Sequence, residues 1–201
     1  MRRRFLVPLA LLAAAPFLLA ACGGDDSSSQ DEDDITAAIE QAGTTDEASN
    51  CTELQTQSFT EQTEFASGEE AITTCEESAG DGDVAGDSVE VSNVEVDGDT
   101  ATAEAAFTGG GLDGQTLSIS LVKEGDQWKL DSQDEFVEFD KDSFASGLLE
   151  GASADGNVPQ AVLDCVEQAV ADTPDEDLQE IYLSGDADQL FSLFGPCFQG
   201  A

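Results

Sequence analysis

The sequence predicts an α+β protein, with helices packed on a curved, cone-like antiparallel meander sheet and a small C-terminal helical unit following it. Three observations predict this. Residues 35–79 carry apolar side chains at helical spacing, residues 89–130 hold four short alternating runs parted by Gly-containing turns, and residues 158–201 return to helical spacing. Three successive hairpins make a meander, and its apolar face needs the preceding helices as a cover.

Asp34 is a candidate N-cap for a helix with Ile35, Ala38, Ile39 and Ala42 on one face. Residues 43–50 read as a connection. Leu54, Phe59 and Phe65 follow, and then a short helix over 69–78 with Ala71, Ile72 and Cys75 on one side. A Gly-containing acidic loop spans 81–87. The strands run over 89–96, 100–107, 117–121 and 128–130. Their turns are Asp97-Gly98-Asp99, the Gly-rich run 109–114 and Glu124-Gly125-Asp126, and Asp-Gly is a strong hairpin signal. In the first strand Val89 and Val91 share one parity and Val94 and Val96 the other. One extra residue at Ser92-Asn93 would turn both pairs to the same face, so a β-bulge is expected there.

Phe136, Phe139 and Phe144 lie in a stretch expected to pack on the sheet. Residues 141–157 read as a linker, rich in Gly, Ala and Ser from Ser146 onward. Pro159 suits a first helical position ahead of Val162, Leu163, Val166 and Val170. Thr173-Pro174-Asp175-Glu176 reads as a capping box, Asp186 as a cap for the last helix, and Gly195-Pro196 as its end. Tyr182, the single tyrosine, falls outside the sheet-bearing segment.

Composition narrows the function. The chain of 201 residues has 44 Asp and Glu against 6 Lys and Arg, a net charge of −38, and no His. Nucleic-acid phosphates are held by Lys and Arg, so no nucleic-acid partner is expected. Without His there is no Ser-His-Asp triad, Cys-His dyad or His-ligated zinc. No Gly-rich phosphate loop is present, and no cofactor is expected. With 40% apolar residues, the chain is still able to form a core.

Arg2, Arg3 and Arg4 precede an apolar run, 5–21, broken by Pro8 and Pro16, which reads as an export signal and is too short for a comfortable membrane span. Leu19-Ala20-Ala21-Cys22 resembles the lipobox of bacterial lipoproteins. The resemblance implies cleavage before Cys22, diacylglycerol on its sulfur and acylation of the new N-terminus, and two or more acyl chains anchor stably. The expected location is the extracytoplasmic face of the cell membrane, with the lipid bilayer as a partner. Arg2-Arg3-Arg4-Phe5-Leu6 also resembles a twin-arginine motif, which leaves the export route open between that and the general one. The domain order is then a signal (1–21), acylated Cys22 with an acidic tether (22–34), the α+β domain (35–140), the linker (141–157) and the helical unit (158–201). Removing the signal leaves three lysines against 44 acids, or −41.

Four further cysteines permit three pairings. Cys51–Cys75 and Cys165–Cys197 are expected as disulfides because each pair stays within one unit. No Cys-x-x-Cys, His or basic neighbour favours a metal or a reactive thiol.

Helices with a Cys-containing turn, then the Val94–Thr102 hairpin (VEVDGDTAT) and the Leu121–Leu130 hairpin (LVKEGDQWKL), resemble the nuclear-transport-factor-2-like superfamily, particularly small actinobacterial lipoproteins, over about residues 35–135. The resemblance implies a cone whose pocket hosts small molecules or an isomerase or dehydratase site. Phe107, Ile119 and Trp128 are the pocket candidates.

No catalytic residue is assigned. Enzymes of this fold pair an Asp, or Asp and His, with Tyr donors. Here a lone carboxylate would have to serve, and Asp131 and Glu135 are the positions to inspect. Asp81, Asp83 and Asp87 could ligate Ca²⁺, but an EF-hand register started at Asp81 puts Ala85 fifth and Ser92 twelfth, where ligands are needed. The expected function is a non-enzymatic, membrane-anchored lipoprotein that binds a small molecule or a protein through the cone-like domain. The alternative is a lone-carboxylate isomerase or dehydratase in the same pocket.

Overall fold

A computed structural model describes residues 25–80, 85–153 and 158–199. Cys22, Asp81 and Asp83 lie outside the described residues. Among the described residues eight α-helices and four strands follow in order, with a 3-10 turn Gly110–Leu112 between β2 and β3: α1 Asp25–Thr44, α2 Asn50–Glu53, α3 Gln57–Thr63, α4 Glu69–Ser78, β1 Ser88–Asp97, β2 Thr100–Thr108, β3 Thr116–Glu124, β4 Gln127–Glu138, α5 Lys141–Ser153, α6 Gln160–Asp172, α7 Asp175–Ser184 and α8 Ala187–Phe198.

The sheet is an open antiparallel meander in the order β1-β2-β3-β4. Hairpin loops at 98–99 and 125–126 place Gly98 and Gly125 at φ 66° and 68°, which glycine adopts without strain. The expected bulge is present. Ser92 pairs with Glu104 and Glu95 with Thr102, so β1 holds one extra residue, and Asn93 takes φ 51°. Val89 and Val91, and after the bulge Val94 and Val96, all pack on the core.

β4 holds three more register shifts opposite Thr116/Leu117, Ser118/Ile119 and Ser120/Leu121, each adding a residue to β4. Strict alternation from Trp128 and Leu130 would turn Ser132 and Asp134 inward. The shifts instead bury Gln133 and return Phe136 to the core side.

α1 crosses the sheet and packs on β1 and β4. Ile35 and Ile39 meet Phe59 of α3 and the small-residue face Ala101, Ala103 and Ala105, together with Leu117, Ile119, Leu121, Trp128 and Leu130. The alanines leave room for the larger chains of α1 and β3. Residues 54–56 lie along β4 in parallel, with Leu130 N–H donating to Leu54 O at 2.9 Å and Thr56 N–H to Leu130 O at 2.9 Å.

Several local expectations change. The acidic segment read as a tether up to residue 34 is helical from Asp25, so Asp34 caps nothing. Its anchor is Asp31, which accepts from Trp128 Nε1 at 3.1 Å and pairs with the Lys123 ammonium, itself 5.3 Å over the Trp128 ring. Composition shows no apolar anchor there, because the anchor is an ion pair to a residue 92 positions away. Residues 141–153, read as linker, form α5. Asp140 Oδ1 accepts from Ser143 N–H at 2.8 Å, Phe144 is buried, and Gly147 lies so close to the backbone of Gly111 that a Cβ would stand 2.2 Å from its carbonyl oxygen. Glycine here serves contact rather than looseness.

Thr173 does not close a capping box, since its hydroxyl donates to Ala169 O at 2.7 Å. α8 runs through Pro196 to Phe198, while Asp186 caps it as expected, accepting from Asp188 and Gln189 N–H.

Both disulfides form: Cys51–Cys75 joins α2 to α4 and Cys165–Cys197 joins α6 to α8, with Cα separations of 6.0 and 5.5 Å. They fit a protein folded in an oxidising, extracellular compartment. Among the described residues no helix is long and apolar enough to cross a membrane. The C-terminal unit has its own cluster of Val162, Val166 and Cys197, with Leu149 and Phe194 against it. α7 leaves that cluster and packs on β4.

Candidate functional site

Between the helices and the inner face of the sheet lies a cavity of about 660 Å³. That is within the range of roughly 300–1,000 Å³ typical of small-molecule sites. Ile39 and Phe59 wall it from the helices, Phe107, Ile119 and Leu130 from the sheet, and Phe144 and Leu148 from α5. The Cys51–Cys75 disulfide forms part of the wall at α2 and α4.

Of the three pocket candidates, Phe107 and Ile119 line the cavity. Trp128 is buried, but it is absent from the wall and faces α1, where its N–H meets Asp31. Asp131 accepts from Thr56 Oγ1 at 2.8 Å and lies away from the cavity, and Glu135 is exposed. Neither carboxylate belongs to the site. Asp87, the described member of the acidic-loop trio, donates its backbone N–H to Thr108 O at 2.8 Å. Among the described residues no group of three or more ligating side chains could hold a metal ion.

The polar wall comes from residues that composition did not single out. Asn50 is 5% exposed; its Nδ2 donates to Thr45 O at 3.1 Å and Thr45 Oγ1 at 2.9 Å. Thr45 Oγ1 gives its own proton to Gln41 O at 2.7 Å, so both Thr45 oxygens are acceptors toward Asn50. That fixes the amide orientation, and Asn50 Oδ1 receives no donor from the protein.

Gln133 is 6% exposed, held by its backbone: its N–H donates to Gln62 Oε1 at 2.8 Å and its carbonyl accepts from Gln62 Nε2 at 2.7 Å. The Gln133 side chain hydrogen-bonds the Tyr182 hydroxyl, and its Oε1 has no donor. Reversing the amide would only exchange which arm is unmatched. A buried unmatched polar atom costs about 1–3 kcal/mol, and Asn50 and Gln133, both beside the cavity, each hold one that is shut off from solvent.

Tyr182 was expected outside the sheet domain. It is instead brought in by α7, because Gln62 Nε2 also donates to Leu183 O at 2.6 Å and ties α3, β4 and α7 together. Its ring lies among Phe65, Phe136 and Phe144, with centroids 6.1, 5.5 and 5.6 Å away. Burial pushes the hydroxyl up to about 12, against a smaller opposing effect of the Gln133 hydrogen bond. Phe65 holds φ 49°, strained for a residue with a Cβ, where α3 ends.

Glu64, the last residue before that turn, lines the cavity, and burial raises its carboxyl above the usual range. Asp46 and Glu47 add acids to the wall. None of the three lysines reaches it. Lys123 pairs with Asp31, Lys129 with Glu124 at 3.0 Å and Lys141 with Asp175 at 3.2 Å. The site is thus an apolar chamber with oxygen acceptors and carboxyl groups and no cation. Compared with models of protein families, with curated proteins and with solved structures, the chain finds no match.

Proposed function

We propose that this protein is an extracytoplasmic lipoprotein, anchored through an acylated Cys22, that binds a small molecule non-enzymatically in the chamber between its helices and its sheet. The lipobox-like run Leu19-Ala20-Ala21-Cys22 and the two disulfides support the location. The order of helices, then a bulged four-stranded meander, supports the nuclear-transport-factor-2-like reading. The observation that carries the binding reading is the cavity of about 660 Å³ between helices and sheet, with an apolar wall that includes Ile39, Phe59, Phe107, Ile119 and Leu130. Native mass spectrometry of residues 23–201, purified from the exporting host, tests it. A co-purified small molecule is the expected result. A mass equal to the bare chain, with no uptake from a metabolite extract, would leave a protein partner as the better reading.

Glu64 favours one second reading. A carboxyl raised by burial on a cavity wall is suited to proton transfer, so the lone-carboxylate isomerase or dehydratase reading passes from Asp131 and Glu135 to Glu64. Turnover of the co-purified molecule that Glu64→Gln abolishes would establish it. Binding without turnover would exclude it.

A further inference from the structure

We infer that the folded body stands end-on to the bilayer, with the hairpin tips at Gly98 and Gly125 toward the headgroups and the cavity in the half turned to the aqueous phase. This rests on the anchoring of Cys22 proposed above and gives it a direction.

The link to the lipid is short. Asp25 opens α1, so only Gly23 and Gly24 separate that helix from Cys22. Three residue steps span at most about 11 Å, whereas a free tether up to residue 34 would reach about 40 Å.

α1 has a fixed direction on the sheet. Asp31 accepts from Trp128 Nε1 at 3.1 Å and pairs with Lys123, and Lys123 and Trp128 face each other across β3 and β4 beside the tip at Gly125. Lys123 N–H donates to Asp99 O at 2.8 Å, so the tip at Gly98 shares this end. At the other end of α1, Gly43 lies against Val89 and Phe107, where β1 starts and β2 finishes. The helix therefore runs from the tips toward the far end of the sheet. Going back from Asp31 to Asp25 carries it about 9 Å further toward the tips, and so toward the anchor.

The cavity occupies the other half. α1 lines it with Ile39, Ala42 and Gly43 near its C-terminal end, and β2 with Phe107. Val96, Ala101 and Trp128, the inward positions nearest the tips, do not line it. End-on anchoring thus holds the cavity on the aqueous side.

Charge keeps the body upright. Beyond Cys22 the chain has three lysines against 44 acids, or −41, and each lysine is already in an ion pair. Lying flat would bring a whole flank of acids, such as Glu90, Glu95 and Glu104 on the outer face of the sheet, within the screening length of about 8 Å from anionic headgroups. End-on, the hairpin acids that come so near are Asp97, Asp99, Glu124 and Asp126.

The test uses the full chain, matured in an exporting host and placed in nanodiscs of phosphatidylcholine and phosphatidylglycerol that carry a gadolinium-chelating lipid. Paramagnetic broadening is read for each amide and for the indole N–H of Trp128, the single tryptophan. The signals of residues 97–100 and 124–127 and the Trp128 indole should broaden at least about tenfold more than those of residues 105–108 and 116–118, because β3 puts about 26 Å between the two ends. Inserting about twenty Gly and Ser residues after Gly24 adds a reach of about 25 Å, and should cut the broadening at the tips severalfold. Uniform broadening, or stronger broadening at 105–108 and 116–118, overturns the end-on arrangement and leaves the anchor standing. Broadening at the tips that survives the insertion overturns the short link as its cause. A mature chain without the acyl mass on Cys22, or one that leaves the discs, overturns the anchoring reading as well.

Discussion

Gly185→Ala tests whether α7 is locked to the sheet domain through backbone contact. Gly185 ends α7 at φ 61°, a left-handed position where a Cβ costs about 1–2 kcal/mol. It also lies against α3, where an added Cβ would stand 2.6 Å from Gln62 Cα and 3.0 Å from Gln62 O, far inside the roughly 3.5–4.0 Å of a comfortable carbon contact. These are backbone atoms and cannot rotate away. Relieving the overlap means moving α7 off α3 and loosening the Gln62 bonds to Leu183 and Gln133. Overpacking of this kind costs about 1–3 kcal/mol, so the total should be about 2–5 kcal/mol. Gly98→Ala is the control. It has φ 66° and nothing within 4 Å of the added Cβ, so it should lose only about 1–2 kcal/mol. Urea unfolding followed by the fluorescence of Trp128, with both disulfides oxidised, gives the two losses as midpoint shifts at constant slope. Equal losses in the two variants, within about 0.5 kcal/mol, would refute the locking contact.

Replacing Cys51 and Cys75 by Ala should cost about 3.4 kcal/mol, and replacing Cys165 and Cys197 about 3.7 kcal/mol, from chain separations of 24 and 32 residues; urea midpoints check both, and a loss under about 1 kcal/mol would refute the chain-entropy account. Tyr182 is the single tyrosine, so absorbance near 295 nm follows it alone. Its ionisation should centre near pH 12, and, since the folded value is raised, the stability it confers is full below about pH 10 and is lost as pH climbs toward 12; ionisation near 10 in the folded protein would show that the ring is solvated. Lys123 holds the Asp31 carboxyl below its usual range, so this stability is present above about pH 4 and is lost as pH falls through the lower folded value. Asp31→Asn should flatten the acid limb of the stability curve, and an unchanged limb would refute that linkage. Asp186→Ala should lower the urea midpoint through loss of the α8 cap, and an unchanged midpoint would refute that role.

The meander was legible because its signals are local. Alternating runs, Asp-Gly and Gly-Asp turns and the parity break between Val91 and Val94 all act within a few residues, and the parity break even located the bulge. The site was only half legible, for a physical reason. Phe107 and Ile119 follow simple alternation from neighbouring strand residues and reach the cavity. Past Leu130, β4 departs from alternation three times, and the run Asp131-Ser132-Gln133-Asp134 is polar at every position, so no pattern marks Gln133 as the inward one. Asn50 and Tyr182 are set by contacts with Thr45 and with Gln62 and its partners, and the last of these joins segments over 100 residues apart. Trp128 had the right parity but lies beneath Asp31, whose segment composition alone marks as a tether.

The charge gains meaning from where the few cations lie. Lys123 holds α1 to the sheet through Asp31. Lys129 donates to Thr52 O at 3.0 Å and joins β4 to α2, and Lys141 donates to Thr173 O and pairs with Asp175 at the start of α7. Each lysine closes a seam between segments distant in sequence. Acids that face only solvent carry little conformational consequence and keep the surface hydrated and self-repelling. None of the three lysines lines the cavity, whose wall carries Glu64, Asp46 and Glu47.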